Sequence, residues 1–202
     1  MAHVGRADFT SEPRNPLAMF GALVPESNAI EDLDLVRTDL SYASLKRARL
    51  VRCGFTESAL VGACLDDGTI ELCDFSRANL DRARLSGARI TWSRFAGAII
   101  SDSMLDRVTF THCDLRGADL SAPRFGDFAA TTQARFISCD LRETSWRDRW
   151  LSAVKIVDCK LYGATGRPRL EGTEIQGADL SVAGDGSRPA TSAEVIDTWE
   201  RR

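Results

Sequence analysis

Histidine is almost missing from this chain: His3 and His112 are the only two among 202 residues. There is no P-loop, no dinucleotide-binding fingerprint and no motif for an activated nucleophile. Without these and without paired histidines, the means of acid–base and nucleophilic catalysis are lacking, so the sequence reads as a non-enzyme without metal or cofactor. Long hydrophobic runs are missing too. No stretch approaches the ~20 apolar residues that cross a bilayer, and the first ten residues show no basic region followed by an apolar core, so a soluble, cytoplasmic protein with no membrane partner is expected. Charge of one sign is also lacking, because 26 basic and 29 acidic residues give −3. That leaves no bulk basicity for coating phosphates, and direct nucleic-acid binding is not expected, although 23 of the 26 basic residues are arginine.

What is present is a repeat. Every fifth residue from Ile30, through Leu35, Leu40, Leu45 and Leu50 to Phe125, is Leu, Ile or Phe, twenty positions in succession. Those three types make up only 38 of the 202 residues, so the period is not a chance pattern. Two positions earlier the residue is usually small, as at Ala43, Ala48, Cys53, Ser58 and Ala63. A helix would need apolar spacing near 3.6 and an ordinary strand a period of two. A strict period of five, with a large and a small inward residue on either side of one outward residue, fits a short extended piece followed by a turn, the sides of a polygonal solenoid.

The triplets Ala78-Asn79-Leu80, Ala118-Asp119-Leu120 and Ala178-Asp179-Leu180, with the variants Cys73-Asp74-Phe75 and Cys139-Asp140-Leu141, resemble the pentapeptide repeat family over roughly residues 28–181. The resemblance implies an all-β fold, a right-handed quadrilateral β-helix with four pentads per coil, of about seven coils. Residues twenty apart then stack, which puts Leu35, Phe55, Phe75, Phe95 and Leu115 in one column over Cys53, Cys73, Ser93 and Cys113. The spacing slips twice. Phe125 to Phe136 is one residue too long and Leu161 to Leu170 one too short, so a bulge is expected over 126–135 and a loop over 162–169, with Phe136 and Ile156 rejoining the Phe-rich column. The segment 144–151 places Trp146 at a large inward position and Arg149 at a small one, and a local distortion of the coil is expected there.

Both ends of such a rod need covering. Residues 1–27 lack the repeat and are expected to cap the first coil through Phe9, Leu17, Met19 and Phe20. Residues 182–202 form a linker and a C-terminal α-helix opened by the capping box Thr191-Ser192-Ala193-Glu194. Val195, Ile196 and Trp199 share one face of that helix, which is too short to stand alone and must dock on the last coil or on a second subunit. The cysteines, mostly at the small inward position, read as small hydrophobes; stacked vectors such as those of Cys53 and Cys73 give the wrong torsion for a disulfide.

Function must then lie on outward positions. Asp34, Asp39, Asp74, Asp114, Asp119, Asp140 and Asp179 present either an acidic face or the local turn bonds that Asp favours. Arg47, Arg49, Arg52, Arg77, Arg82, Arg84, Arg89 and Arg94 form a basic sector, read either as a site for an acidic partner or as a solvated face paired with neighbouring Asp. Arg52, Leu72, Trp92, Arg94 and His112 form a further exposed patch. The resemblance to the stand-alone quinolone-resistance branch implies a DNA-mimicking modulator of DNA gyrase or another type II topoisomerase. In that reading the aspartate columns are its partner face, Val195, Ile196 and Trp199 join a homodimer, and resistance or self-protection is the outcome. The other reading is a protein-interaction scaffold without a topoisomerase role, which would use the Trp92 patch. A continuous negative stripe would favour the first, and interleaved charges the second.

Overall fold

The computed structural model describes residues 29–122 and 130–201. The N-terminal cap residues Phe9, Leu17, Met19 and Phe20, and Phe125 in the first slip, lie outside them. In chain order the strands are β1 (Ala29–Glu31), β2 (Arg49–Val51), β3 (Thr69–Glu71), β4 (Arg89–Thr91), β5 (Thr109–Thr111), β6 (Ala130–Thr132), β7 (Arg135–Ile137), β8 (Trp150–Ser152), β9 (Lys155–Val157), β10 (Arg169–Glu171), β11 (Glu174–Gln176), β12 (Ala178–Asp179) and β13 (Pro189–Ala190), followed by helix α1 (Ser192–Arg201). Eight of them form one parallel sheet in the order β1-β2-β3-β4-β5-β7-β9-β11, the broad face of a solenoid of about seven coils. At the spacing of paired strands the rod is about 35 Å long.

The pentad explains the wall. Its central residue donates to the next coil, as Leu40 N does to Ala59 O at 2.7 Å, and the next coil donates back, as Ala59 N does to Thr38 O at 2.9 Å. A turn bond such as Ala43 N to Leu40 O, 3.0 Å, closes the corner. The residue before the next inward position has positive φ, 61° at Tyr42 and 57° at Arg77. Inside, Phe55, Phe75 and Phe95 stack at 4.5 and 4.8 Å with their planes within 8° of parallel. Layer on layer, like residues pack on like, which is how a repeating sequence fills an interior at crystal-like density.

The corner that follows the broad sheet differs. No turn bond closes it, and the amide of Cys53 donates instead to Cys73 Sγ at 3.4 Å, that of Cys73 to Ser93 Oγ at 3.1 Å and that of Cys139 to Cys159 Sγ at 3.4 Å. The cysteine column is therefore more than a set of small hydrophobes: each thiol or hydroxyl accepts a buried amide that would otherwise lack a partner.

The first slip is larger than the sequence reading allowed. Phe136 pairs with Phe110 in register, and their rings stack at 5.2 Å. The coil thus holds six extra residues, one pentad and one more, so Phe136 and Ile156 join the Ile70, Ile90 and Phe110 column rather than the Phe-rich one. Thr131, fully buried, occupies the core position stacked beneath Leu151. The second slip is as expected: Leu151 pairs with Leu170, one residue short of a full coil. Gly166, at φ 116°, is required in that loop because a Cβ there would lie 2.3 Å from Arg147 N.

Trp146 and Arg149 are both buried, as their inward positions predict. Among the described residues the bridge column Ser44, Cys64, Arg84, Met104 runs as far as Met104, and β6 pairs with β8. There the Arg149 guanidinium enters the core and donates to Ser103 O, Thr131 Oγ1 and Ser121 O, each at 3.0 Å, and to Ile100 O at 3.3 Å. Burial pushes its pKa down to about 10, against the pull of Asp102, Asp119 and Asp106, so it remains charged at neutral pH. No described helix is long and apolar enough to cross a membrane.

Candidate interaction surface

The seven aspartates that open the pentads bond their own turns. Each accepts the amide two residues on, for example Ser41 N to Asp39 Oδ1 at 2.9 Å, Ser76 N to Asp74 at 2.9 Å, Ser121 N to Asp119 at 3.0 Å and Ser181 N to Asp179 at 2.8 Å. Asp34, Asp114 and Asp140 do the same to Val36, Arg116 and Arg142. Hydrogen bonds from Ser41 hold the Asp39 carboxyl below the usual range. Burial opposes the same shift at Asp114 and Asp179, and bonds from Arg116, and from Ser181 and Gly186, outweigh it.

These aspartates do not make an unbroken stripe. Their main column runs Asp34, Gly54, Asp74, Arg94, Asp114, Asp140, Lys160, Asp179, so Arg94 and Lys160 interrupt it. Arg116 grips Asp114 at 2.8 and 2.6 Å, and Arg142 grips Asp140 at the same two distances. On other columns Glu57 lies between Arg37 and Arg77, both at 2.7 Å, Arg52 binds Asp32 at 2.6 Å and Arg84 binds Asp66 at 2.6 Å. Charges of both signs interleave coil by coil, and most arginines of the basic sector are absorbed by that pattern.

Three patch residues stand together. Leu72, Trp92 and His112 follow β3, β4 and β5 at the open corner, one per coil, with φ of 55°, 52° and 53°. Leu72 and Trp92 are 51% and 59% exposed, and the Trp92 ring stacks on His112 at 4.2 Å. Arg52 begins the column but is turned to Asp32, and Arg94 lies round the corner on the aspartate column. Beside the aromatic pair runs an open groove of about 400 Å³ lined by Trp92, His112, Arg116, Ser138, Arg142 and Lys160 among others. An L-residue in the left-handed region carries strain of about 1–2 kcal/mol, and an exposed indole forgoes burial. Non-glycine residues take this left-handed corner on most coils, so what marks the column is its exposed apolar side chains.

The C-terminal residues are used differently from the dimer expectation. Helix α1 is capped as the sequence indicates, with Thr191 N donating to Glu194 Oε2 at 2.8 Å and Glu194 N to Thr191 Oγ1 at 3.3 Å. It docks on its own rod: Val195 and Trp199 are 1% and 2% exposed, and Trp199 lies 6.2 Å from Trp146. Only Ile196 stays partly exposed, at a cavity of about 480 Å³ with Arg167, Pro168, Leu170 and Trp199. The linker, placed by an antiparallel pair of β12 with β13, is pinned where Arg142 Nη1 donates to the carbonyls of Val182 and Ala183 at 2.8 and 3.0 Å. The pairing of Arg142 with this linker left no trace in the repeat.

Among family models, pentapeptide repeats match in eight copies over residues 34–68, 72–97 and 84–121. Among solved structures the chain is similar to HetL, a pentapeptide repeat protein involved in heterocyst differentiation regulation from the cyanobacterium Nostoc sp. strain PCC 7120. Identity is 26%, coverage 76% of this chain and 72% of that one, and the TM-score 0.56. It also matches QnrB1, a plasmid-mediated fluoroquinolone resistance protein, at 16% identity, 84% and 88% coverage and TM-score 0.48. A pentapeptide repeat protein of the Arabidopsis thaliana thylakoid lumen matches at 24% identity, 50% and 70% coverage and TM-score 0.46. No curated protein matches the chain in sequence. With its period, its coil-on-coil bonding and its stacked interior, the chain carries pentapeptide repeats over residues 34–68 and 72–121 and shares the fold of pentapeptide repeat proteins.

Proposed function

We propose that this chain is a non-enzymatic protein-interaction rod whose recognition edge is the Leu72, Trp92, His112 column. The observation that carries the reading is that column itself: two large apolar side chains, more than half exposed and one coil apart, beside a Trp92–His112 stack. Covering the exposed part of an indole, on the order of 100 Å², is worth about 2–3 kcal/mol, enough for an interface anchor. HetL, with the same fold, is involved in regulation, which agrees with a binding rather than a chemical role. A DNA mimic directed at gyrase or another type II topoisomerase needs a continuous acidic stripe. Arg94 and Lys160 within the main aspartate column, and the bidentate arginines on Asp114 and Asp140, weigh against it. A homodimer through α1 would have to use Ile196 and the adjoining cavity rather than Val195 and Trp199.

The test places a photo-crosslinking amino acid at position 92, and separately at exposed Tyr42, in the producing cell. A discrete adduct from position 92, absent from position 42 and abolished by Leu72→Ser, is expected. Purified protein is expected to leave gyrase supercoiling and fluoroquinolone-stimulated cleavage unchanged. Inhibition or rescue at stoichiometric amounts would replace this reading with the topoisomerase one.

A further inference from the structure

We infer that the broad sheet between β3 and β7 receives an acidic amphipathic helix of a protein partner, with carboxylates on Arg89, Arg107 and Arg135 and apolar side chains on Leu72 and Trp92. The inference rests on the interaction-rod reading and names the chemistry of the partner.

Its starting point is a group of unpaired cations on one edge. Many arginines of the rod are met by acids of the same or a neighbouring coil, as in the Glu57, Asp66, Asp114 and Asp140 pairs. Arg89, Arg107 and Arg135 are exposed and form no ion pair among the described residues. Arg89 and Arg135 flank Thr109 in register on β4, β5 and β7, and Arg107 stands two residues before Thr109 at the adjoining corner. The nearest acid on that corner, Asp106, is committed to Thr132, accepting its amide at 3.0 Å and its hydroxyl at 2.6 Å. Three free cations on consecutive coils are what a row of carboxylates would meet.

The dimensions select a helix. One coil is about 4.8 Å, so the three arginines rise by about 4.8 and about 9.6 Å along the rod. Residues i, i+3 and i+7 of an α-helix rise by about 4.5 and about 10.5 Å, on one stripe. Across the sheet, Arg89 opens β4 and Trp92 follows its last residue at the corner, so the two edges lie less than about 10 Å apart, within a helix diameter. Between them the floor at β4 and β5 is made of the short hydroxyl side chains Thr91 and Thr111, both partly buried, with Glu71 at its β3 end and Ile137 at its β7 end, so a rod lying on this face meets a low centre between two taller ends. The opposite edge is apolar, with Leu72 and Trp92 one coil apart. A helix with acids on one stripe and Leu, Ile, Met or Phe on the next would meet both edges at once.

The test is a display selection of eighteen-residue, helix-biased peptides on the folded protein and on Arg89→Glu/Arg107→Glu/Arg135→Glu, whose changes are all exposed. Thermal melting and far-UV circular dichroism verify that the variant folds. The wild type is expected to enrich peptides with Asp or Glu at i, i+3 or i+4, and i+7 beside an apolar stripe. A synthetic peptide of that kind should lose at least tenfold affinity to the triple variant and a similar factor to Trp92→Gly, and the variant should select Lys or Arg at the same positions. Failure to enrich any peptide, enrichment without acidic periodicity, or displacement of the peptide by oligo(dT) of eighteen nucleotides would overturn the inference. A position-92 adduct that forms equally in the triple variant would also overturn it, while leaving the interaction-rod reading in place.

Discussion

Replacing Arg149 separates the energetic contributions inside the distorted coil. Four acceptors converge on its guanidinium, and for Ser103 O it is the donor found among the described residues. Arg149→Ala would leave that carbonyl buried without a partner, at about 2 kcal/mol, and open a void on the order of 100 Å³, at about 2 kcal/mol more. The expected loss is about 4 kcal/mol. Arg149→Met fills most of the space but leaves the same Ser103 carbonyl unpaired, so it should lose about 2 kcal/mol, less than alanine by the void. Arg149→Lys keeps a buried charge but has no planar fork to serve Ser103 O and Ser121 O together, and should lose about 3 kcal/mol. Urea unfolding followed by far-UV circular dichroism, with hydrogen exchange at 100–122 and 131–150, reads the series. An alanine variant within 1 kcal/mol of the wild type, or a lysine variant equal to it, would refute the account of the guanidinium as the partner of these buried acceptors.

Trp92→Gly should change stability by less than about 1 kcal/mol, because relief of left-handed strain offsets the lost stacking on His112, yet it should abolish the position-92 contact; thermal melting and binding measured together check this. Cys73→Ser should be tolerated, since Ser93 already serves the same role one coil on. Cys73→Ala should lower stability by about 1 kcal/mol, measured by chemical denaturation, because it strands the Cys53 amide. The carboxyls of Asp39, Asp114 and Asp179 lie below their ordinary range when folded, so each contributes stability that is present above pH 4 and disappears as pH falls through the lowered folded values. Melting temperature should therefore drop between pH 4 and pH 2, and Asp179→Asn should flatten that drop. Trp199→Ala should destabilise the rod by about 3–5 kcal/mol and expose Trp146 to quenching by acrylamide, because α1 covers the end of the core.

The sequence by itself determined the solenoid. A period of five admits neither helix nor ordinary strand, and once the coil holds four pentads the column of each side chain follows by counting, which places Leu72, Trp92 and His112 together. Counting failed where the chain departed from the period, because a slip of one and a slip of six look alike modulo five; only pairing of Phe110 with Phe136 distinguished them. The partners of polar groups were decided in three dimensions as well. Whether an arginine is neutralised by the next coil, and whether Val195 and Trp199 meet another subunit or their own core, depend on distances of a few ångströms between residues about twenty or more apart, whereas each aspartate turn is local and bonds the amide two residues on. Residue type fixes what a side chain can bond, and tertiary structure fixes what is within its reach: Arg149 bonds carbonyls 28 to 49 residues away, while Arg89, Arg107 and Arg135 form no ion pair among the described residues.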